Sequence, residues 1–174
     1  SKMEPTDIKS QSLEELKETV EALGEKPFRA KQLYEWMHVK LAESYDDMTN
    51  LSRTFREKLK ESCVLTTLTA LDVQTSRIDG TQKYLFALHD GNVVESVLMR
   101  YKHGNSVCIS SQVGCKMGCR FCASTIGGWT RNLTPAEMLE QIYRIQKNSG
   151  ERVSNVVVMG TGEPLDNYDT PVSY

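Results

Sequence analysis

From Ser106 onward the chain reads strand, loop, helix, strand, and that order restricts what this part can become. Val107-Cys-Ile-Ser110 is a short strand pattern, residues 114–123 form a cysteine-bearing loop, and Asn155-Val-Val-Val-Met159 is a second strand pattern. The helix between them is marked at its start by Thr134 as N-cap, Pro135 at the first helical position and Glu137 closing a capping box, with Leu133 set to staple onto Met138. Such a unit builds parallel sheet. The apolar run Val156 to Met159 suits a strand buried on both faces. Gly160-Thr-Gly-Glu-Pro164 follows it, where a loop at the carboxyl edge of the sheet is expected. Ligands of parallel α/β folds gather at that edge. The cysteine loop after the first strand and the glycine-rich loop after the second are therefore expected side by side.

The earlier sequence has other periods. To about residue 62 it reads helical. Ser12-Leu-Glu-Glu15 is a capping box leading into Leu13, Leu16, Val20 and Leu23, with Gly24 as a stop. A second helix from about Arg29 is expected to bury Leu33, Trp36, Met37 and Leu41, and a third from near Ser52 to bury Phe55 and Leu59. From about Val64 the period becomes two, through Leu65, Thr67, Thr69, Leu71 and Val73, then Tyr84 to Leu88, then Val93 to Met99. Asp90-Gly91 is a hairpin signal.

Cys115, Cys119 and Cys122 are spaced CxxxCxxC and are three of the chain's five cysteines. A structural zinc takes four ligands, usually as two short-spaced pairs, and no second CxxC or HxxxH occurs in the 174 residues. The nearest other donors are Cys108, His103 and Cys63. A four-iron cluster on three cysteines leaves one iron with an open position for a substrate or cofactor. The alternatives are a zinc site completed by a remote residue and three ordinary buried thiols.

The polar start lacks the apolar stretch of a secretory signal, no run is long enough to span a bilayer, and an odd cysteine count argues against a disulfide framework. A reducing cytoplasm and no membrane role are the expectation. Net charge is -2. It is uneven: residues 100–147 hold seven Lys or Arg against Glu137 and Glu140, an excess of five that a polyanionic substrate could meet.

These residues resemble a known family, the radical S-adenosylmethionine (SAM) enzymes, and more narrowly the adenine C2 methyltransferases of 23S ribosomal RNA and transfer RNA. The resemblance lies in Phe28-Arg-Ala-Lys-Gln-Leu-Tyr-Glu-Trp36, Val94-Glu-Ser-Val97, Cys108-Ile-Ser-Ser-Gln-Val-Gly-Cys115, Arg131-Asn-Leu-Thr134 and Val158-Met-Gly-Thr-Gly-Glu-Pro-Leu165. Thr161 departs from the larger apolar residue usual there, while Val113 and the Gly-Glu-Pro run resemble the C2-methylating side more than a C8-methylating relative. The implied fold class is α/β: a helical RNA-binding accessory domain over 1–62, a β-hairpin extension over 63–105, and over 106–174 the start of a partial (βα)6 TIM-like barrel.

The resemblance implies a [4Fe-4S] cluster on Cys115, Cys119 and Cys122, whose fourth iron binds SAM, with Gly162 and Glu163 contacting SAM. It implies Cys108 as the cysteine that resolves a protein–RNA adduct by disulfide formation, Glu95 as proton acceptor, and a flavodoxin or ferredoxin as electron donor. It also implies a monomer at full length. Val107 to Tyr174 is 68 residues. A βα unit takes roughly 30 residues or more, so about two units fit. The chain thus looks truncated, without the methyl-carrying cysteine, and is expected not to turn over alone. Competing readings are another radical SAM enzyme, such as a C8-methylating relative or an activase, and a zinc-stabilised RNA-binding module.

Overall fold

The computed structural model describes residues 5–113 and 131–159 and the backbone of 172–173. Cys115, Cys119, Cys122, Gly162 and Glu163 lie outside the described residues. The chain forms two compact units, Ser1–Thr67 and Leu68–Tyr174.

In the first unit, helix α1 (Leu13–Ala22) starts on Ser12, whose hydroxyl accepts from the Glu15 N–H while the Glu15 carboxylate accepts from the Ser12 N–H. It stops at Gly24, whose φ of +85° suits a residue without Cβ. Helix α2 (Phe28–His38) buries Ala30, Leu33 and Met37. Trp36 is only half-buried, because its indole N–H donates to Asn50 Oδ1 at 2.6 Å on the exposed side. Leu41 lies beyond the helix, in the left-handed region at φ +56°. Helix α3 (Arg53–Ser62) is capped by Ser52 and buries Phe55 and Leu59 as expected. Strands β1 (Thr6–Asp7) and β2 (Cys63–Val64) pair in parallel and bring the two ends of the unit together.

The second unit is built on a six-stranded sheet. Its strands are β3 (Thr69–Thr75), β4 (Gln82–Ala87), β5 (Val93–Tyr101), β6 (Gly104–Ser110), β9 (Asn155–Met159) and β10 (Val172–Ser173), in the order β10-β9-β6-β5-β4-β3. A separate ribbon pairs β7 (Gln112–Val113) with β8 (Arg131–Asn132). Only β6 and β9 run parallel within the sheet. Helix α4 (Pro135–Ser149) connects them in sequence, and the Thr134–Glu137 capping box forms as read. Between β4 and β5 the Gly91 N–H closes a turn on the Leu88 carbonyl (3.0 Å), and φ of +89° is tolerated because the residue is glycine.

The even period expected from Val64 fails in two places. Residues 65–68 lie between strands, and the β3–β4 register shifts between Ala70 and Asp72, leaving Leu71 54% exposed. An edge strand that packs on the core only through Val73 has little to enforce alternation. The expected burial of β9 on both faces also fails: Val156 is buried, whereas Val157, Val158 and Met159 are half-buried.

The core of this unit is one face of the sheet. Tyr84, Phe86, Val94, Leu98, Val107, Ile109 and Val156 form one apolar cluster with Ile142 and Ile145 of α4. Tyr84 is fully buried and donates its hydroxyl to Asn148 Oδ1 of α4 at 3.1 Å.

The first unit contains a pH-sensitive element. Burial, and after it the charge of Lys9, hold the His38 imidazole at about 4. An unfolded histidine titrates at about 6.5. Neutral His38 therefore contributes stability that is complete above about pH 6.5 and is lost as pH falls from there toward 4. Thermal melts at pH 7.5 and 5 should show a larger drop in Tm for the wild type than for His38→Gln; equal drops would refute this.

Candidate functional site

Strand alternation divides the sheet into two faces with different work. Cys108 pairs with Val97, and Glu95 stands two residues along β5 from Val97, so Glu95 and Cys108 share a face. Val94, Ser96, Leu98, Val107 and Ile109 point the other way, into the core under α4. The face carrying Glu95 and Cys108 continues across β9 through Val157, the register partner of Cys108, and Met159, the partner of Ser110. Lys83 of β4, across from Val97, reaches Glu95 with an N···O distance of 3.9 Å. Burial pushes the Cys108 thiol above its ordinary range, so it is protonated at neutral pH.

The end of β6 is fixed by one side chain of α4. Gln141 is fully buried, and its Oε1 accepts from the Ser96 hydroxyl (2.7 Å) and the Ser110 N–H (2.8 Å). Its Nε2 donates to the Ser110 carbonyl at 2.9 Å. The Ser110 hydroxyl donates to the Glu95 carbonyl at 2.7 Å, and Ser111 donates from both hydroxyl and N–H to the Met159 carbonyl (2.8 and 3.0 Å). The amino end of β5 and the carboxyl ends of β6 and β9 are thus tied at the level where the cysteine segment begins.

That segment's two flanks meet. Val113 pairs with Arg131 and Gln112 with Asn132, the latter also through a side-chain hydrogen bond of 2.7 Å. Arg131 donates to Asp90 Oδ2 (3.0 Å) and, through both terminal nitrogens, to Glu137 (2.9 and 3.1 Å). The Glu137 carboxylate also accepts the Thr134 N–H at 2.9 Å. Burial alone would discourage its ionisation, but the Arg131 hydrogen bonds, the Thr134 N–H and the Arg131 and His89 charges hold its pKa below the usual range.

Of the residues singled out from sequence, Glu95 and Cys108 come together on one face; the three loop cysteines, Gly162 and Glu163 fall outside the described residues. His103 is exposed in the turn before β6, about 20 Å of strand from the end where the cysteine segment leaves. Cys63 is buried in the first unit, where burial pushes its thiol up to about 11. Among the described residues no group of three or more His, Cys, Asp or Glu could hold a metal. No helix among them is long and apolar enough to cross a membrane.

Part of the basic excess of 100–147 is paired internally, while Lys116 and Arg120 lie outside the described residues. Arg100 bonds both oxygens of Glu151 (2.9 and 3.0 Å), Arg131 takes Asp90 and Glu137, and Arg144 lies 3.2 Å from Glu140. Sequence reading missed the roles of Gln141 and Arg131. Gln141 carried a signal, being polar one turn after Glu137 on a helix face that continues into Ile145.

Comparisons with known proteins cover both units. Residues 6–65 match the model of the ribosomal RNA large subunit methyltransferase N-terminal domain, and residues 109–173 that of the radical SAM superfamily. A probable dual-specificity RNA methyltransferase RlmN of Lachnospira eligens is 65% identical over 169 residues, covering 97% of this chain and 48% of that protein. The protein of the same name from Lachnoclostridium phytofermentans is 62% identical over 171 residues (98% and 48%), and that from Bacillus subtilis 52% over 170 (96% and 47%). A crystal structure of a radical SAM methyltransferase from Sphaerobacter thermophilus superposes with a TM-score of 0.76 at 41% identity, over 95% of this chain and 49% of that one. The chain spans about half the length of these relatives.

Replacing Arg131 by Met should leave Glu137 buried with the Thr134 N–H and His89 but without its guanidinium partner. Breaking a buried pair costs about 3 to 5 kcal/mol. Urea unfolding should register a loss of that order, with Arg131→Lys recovering only part because one ammonium cannot span both carboxylates. A loss under about 1 kcal/mol for Arg131→Met would refute the bridging role.

Proposed function

Because the chain belongs to the RlmN family of radical SAM proteins, we propose that it supplies the RNA-facing helical unit and the cluster-binding start of an RNA methyltransferase. The substrate is an adenine of 23S ribosomal RNA and of transfer RNA, methylated at C2. Adenine C2 is an electron-poor aromatic carbon and not a nucleophile toward SAM, so a radical route suits it.

The observation that carries this reading is the parallel pairing of β6 with β9. In a parallel pair the carboxyl ends coincide, so the segment bearing Cys115, Cys119 and Cys122 and the segment bearing Gly162 and Glu163 leave from neighbouring strand ends. That is also the first step of a partial barrel in which α4 covers the outside and the Glu95–Cys108 face lines the inside.

Three thiols at CxxxCxxC spacing are the donor set of a [4Fe-4S] cluster that keeps one iron open. Such a cluster, when bound, supplies the electron for reductive cleavage of SAM, and that electron would come from a flavodoxin or ferredoxin. Glu163 and the backbone beside Gly162 would accept hydrogen bonds from the SAM amino group. Cys108 would stay a protonated thiol until its turn to resolve the protein–RNA adduct by forming a disulfide. Glu95, on the same face, is the carboxylate that would accept the proton from the adenine.

The test is the metal and acid-labile sulfide of anaerobically purified protein. Roughly four of each per chain are expected, lost in Cys115→Ala and kept in Cys108→Ala, since Cys108 is not a ligand. Stoichiometric zinc without sulfide would overturn the reading in favour of a binding module.

A further inference from the structure

The first unit is electrically polarised. Helix α1 carries Glu14, Glu15, Glu18 and Glu21 against Lys17. Residues 26–40, spanning α2, carry Lys26, Arg29, Lys31 and Lys40 against Glu35, an excess of three. Helix α3 is also rich in cations, but Arg56 and Lys60 face Asp46 (3.6 and 3.1 Å) and Lys58 faces Glu25 (3.2 Å). Among the described residues no ion pair involves the four cations of 26–40.

Two of those four instead lie on aromatic rings. The Arg29 guanidinium carbon sits 4.7 Å from the centroid of Phe28, and the Lys40 ammonium 4.2 Å from that of Trp36. Arg29 is further held by Gln32, whose Oε1 accepts from its Nη1 at 2.9 Å, so the guanidinium plane has a fixed orientation. Phe28 is 54% exposed and Val39 70%. Eleven residues apart, they return to one side of the helix, about 16 Å along its axis. An exposed ring, a guanidinium held over it and cations outside any ion pair, on α2 and at its ends, are the elements that bind unpaired nucleotides, by stacking on bases and neutralising phosphates. An acidic partner surface would use the cations and leave the exposed Phe28 ring without purpose.

We propose that the exposed side of α2, with Phe28, Arg29 and Lys31 on it and Val39 and Lys40 just after it, is where the first unit grips single-stranded nucleotides of its RNA. This rests on the reading of the chain as part of an RNA methyltransferase and adds which surface does the holding. Exposed α1 repels phosphate, and the cations of α3 are mostly spent on neighbours.

The experiment is fluorescence anisotropy of the whole chain with a labelled RNA stem-loop carrying an unpaired adenine, at 50 and 200 mM KCl. Arg29→Ala/Lys31→Ala/Lys40→Ala should bind roughly tenfold or more weakly at the lower salt and shorten the slope of log affinity against log salt by about 2. Phe28→Ala/Val39→Ala should lose roughly fivefold or more with little change in that slope. Lys17→Ala on α1 should bind like the wild type. The cationic variant leaves the core untouched, so it keeps the test valid if the apolar variant unfolds. A wild type that binds RNA while the cationic variant binds within twofold of it would overturn the α2 assignment alone. A wild type with no RNA affinity would overturn the RNA reading itself. A change of sedimentation state in the apolar variant with unaltered RNA affinity would assign the face to a protein contact instead.

Discussion

One buried carboxylate is shared by three parts of the second unit. Glu137 closes the N-terminus of α4, accepts both terminal nitrogens of Arg131, and through Arg131 reaches Asp90 in the β4–β5 hairpin. Each of those neighbours could form a surface pair worth little in water. With Glu137 excluded from solvent, its hydrogen bonds are not interchangeable with water, and the start of α4, the strand leaving the cysteine segment and the hairpin must be in place together. The helix then delivers Gln141 to the end of β6, one turn later on the same side.

This arrangement explains how the sheet can be both scaffold and working surface. Alternation sends Tyr84, Phe86, Leu98, Val107 and Ile109 under α4, where apolar burial stabilises the unit. The intervening positions hold Lys83, Glu95, Cys108 and Val157, none fully buried. A residue on that second face can change without opening a cavity under α4, whereas a one-residue slip of β5 against β6 would exchange the two sets.

What the sequence made legible was local. The capping boxes at Ser12 and Thr134 and the hairpin at Asp90-Gly91 depend on residues three or four apart, and all are present. The β6–α4–β9 order followed from motif order, and the Glu95 and Cys108 positions were reached through family resemblance. What was missed depends on distant partners. Trp36 reads as core until Asn50 claims its indole N–H from outside the helix. Leu71 reads as a periodic strand residue until β3 proves to be an edge with a register shift. The basic excess of 100–147 counts Arg131 and Arg100 as uncompensated until Asp90 and Glu151, both outside that window, pair with them and lower it from five to three. Adjacent sequence windows cannot report such pairings. The shared face of Glu95 and Cys108 likewise needed the register Val97 to Cys108, which no periodicity specifies.

The β7–β8 ribbon has a thermodynamic consequence for any ligand held by the cysteines. Residues 114–130 run between two paired positions, Val113 and Arg131, so their ends are already joined when the protein is folded. For a free segment of that length, bringing the ends together costs about 2.5 kcal/mol in chain entropy. Folding of the second unit meets that cost through strand pairing and the Glu137 bridge. The loops that an incoming cluster would itself close, Cys115 to Cys119 and Cys119 to Cys122, are short and lie inside this already closed segment, so anchoring narrows the conformations from which the three thiols are gathered.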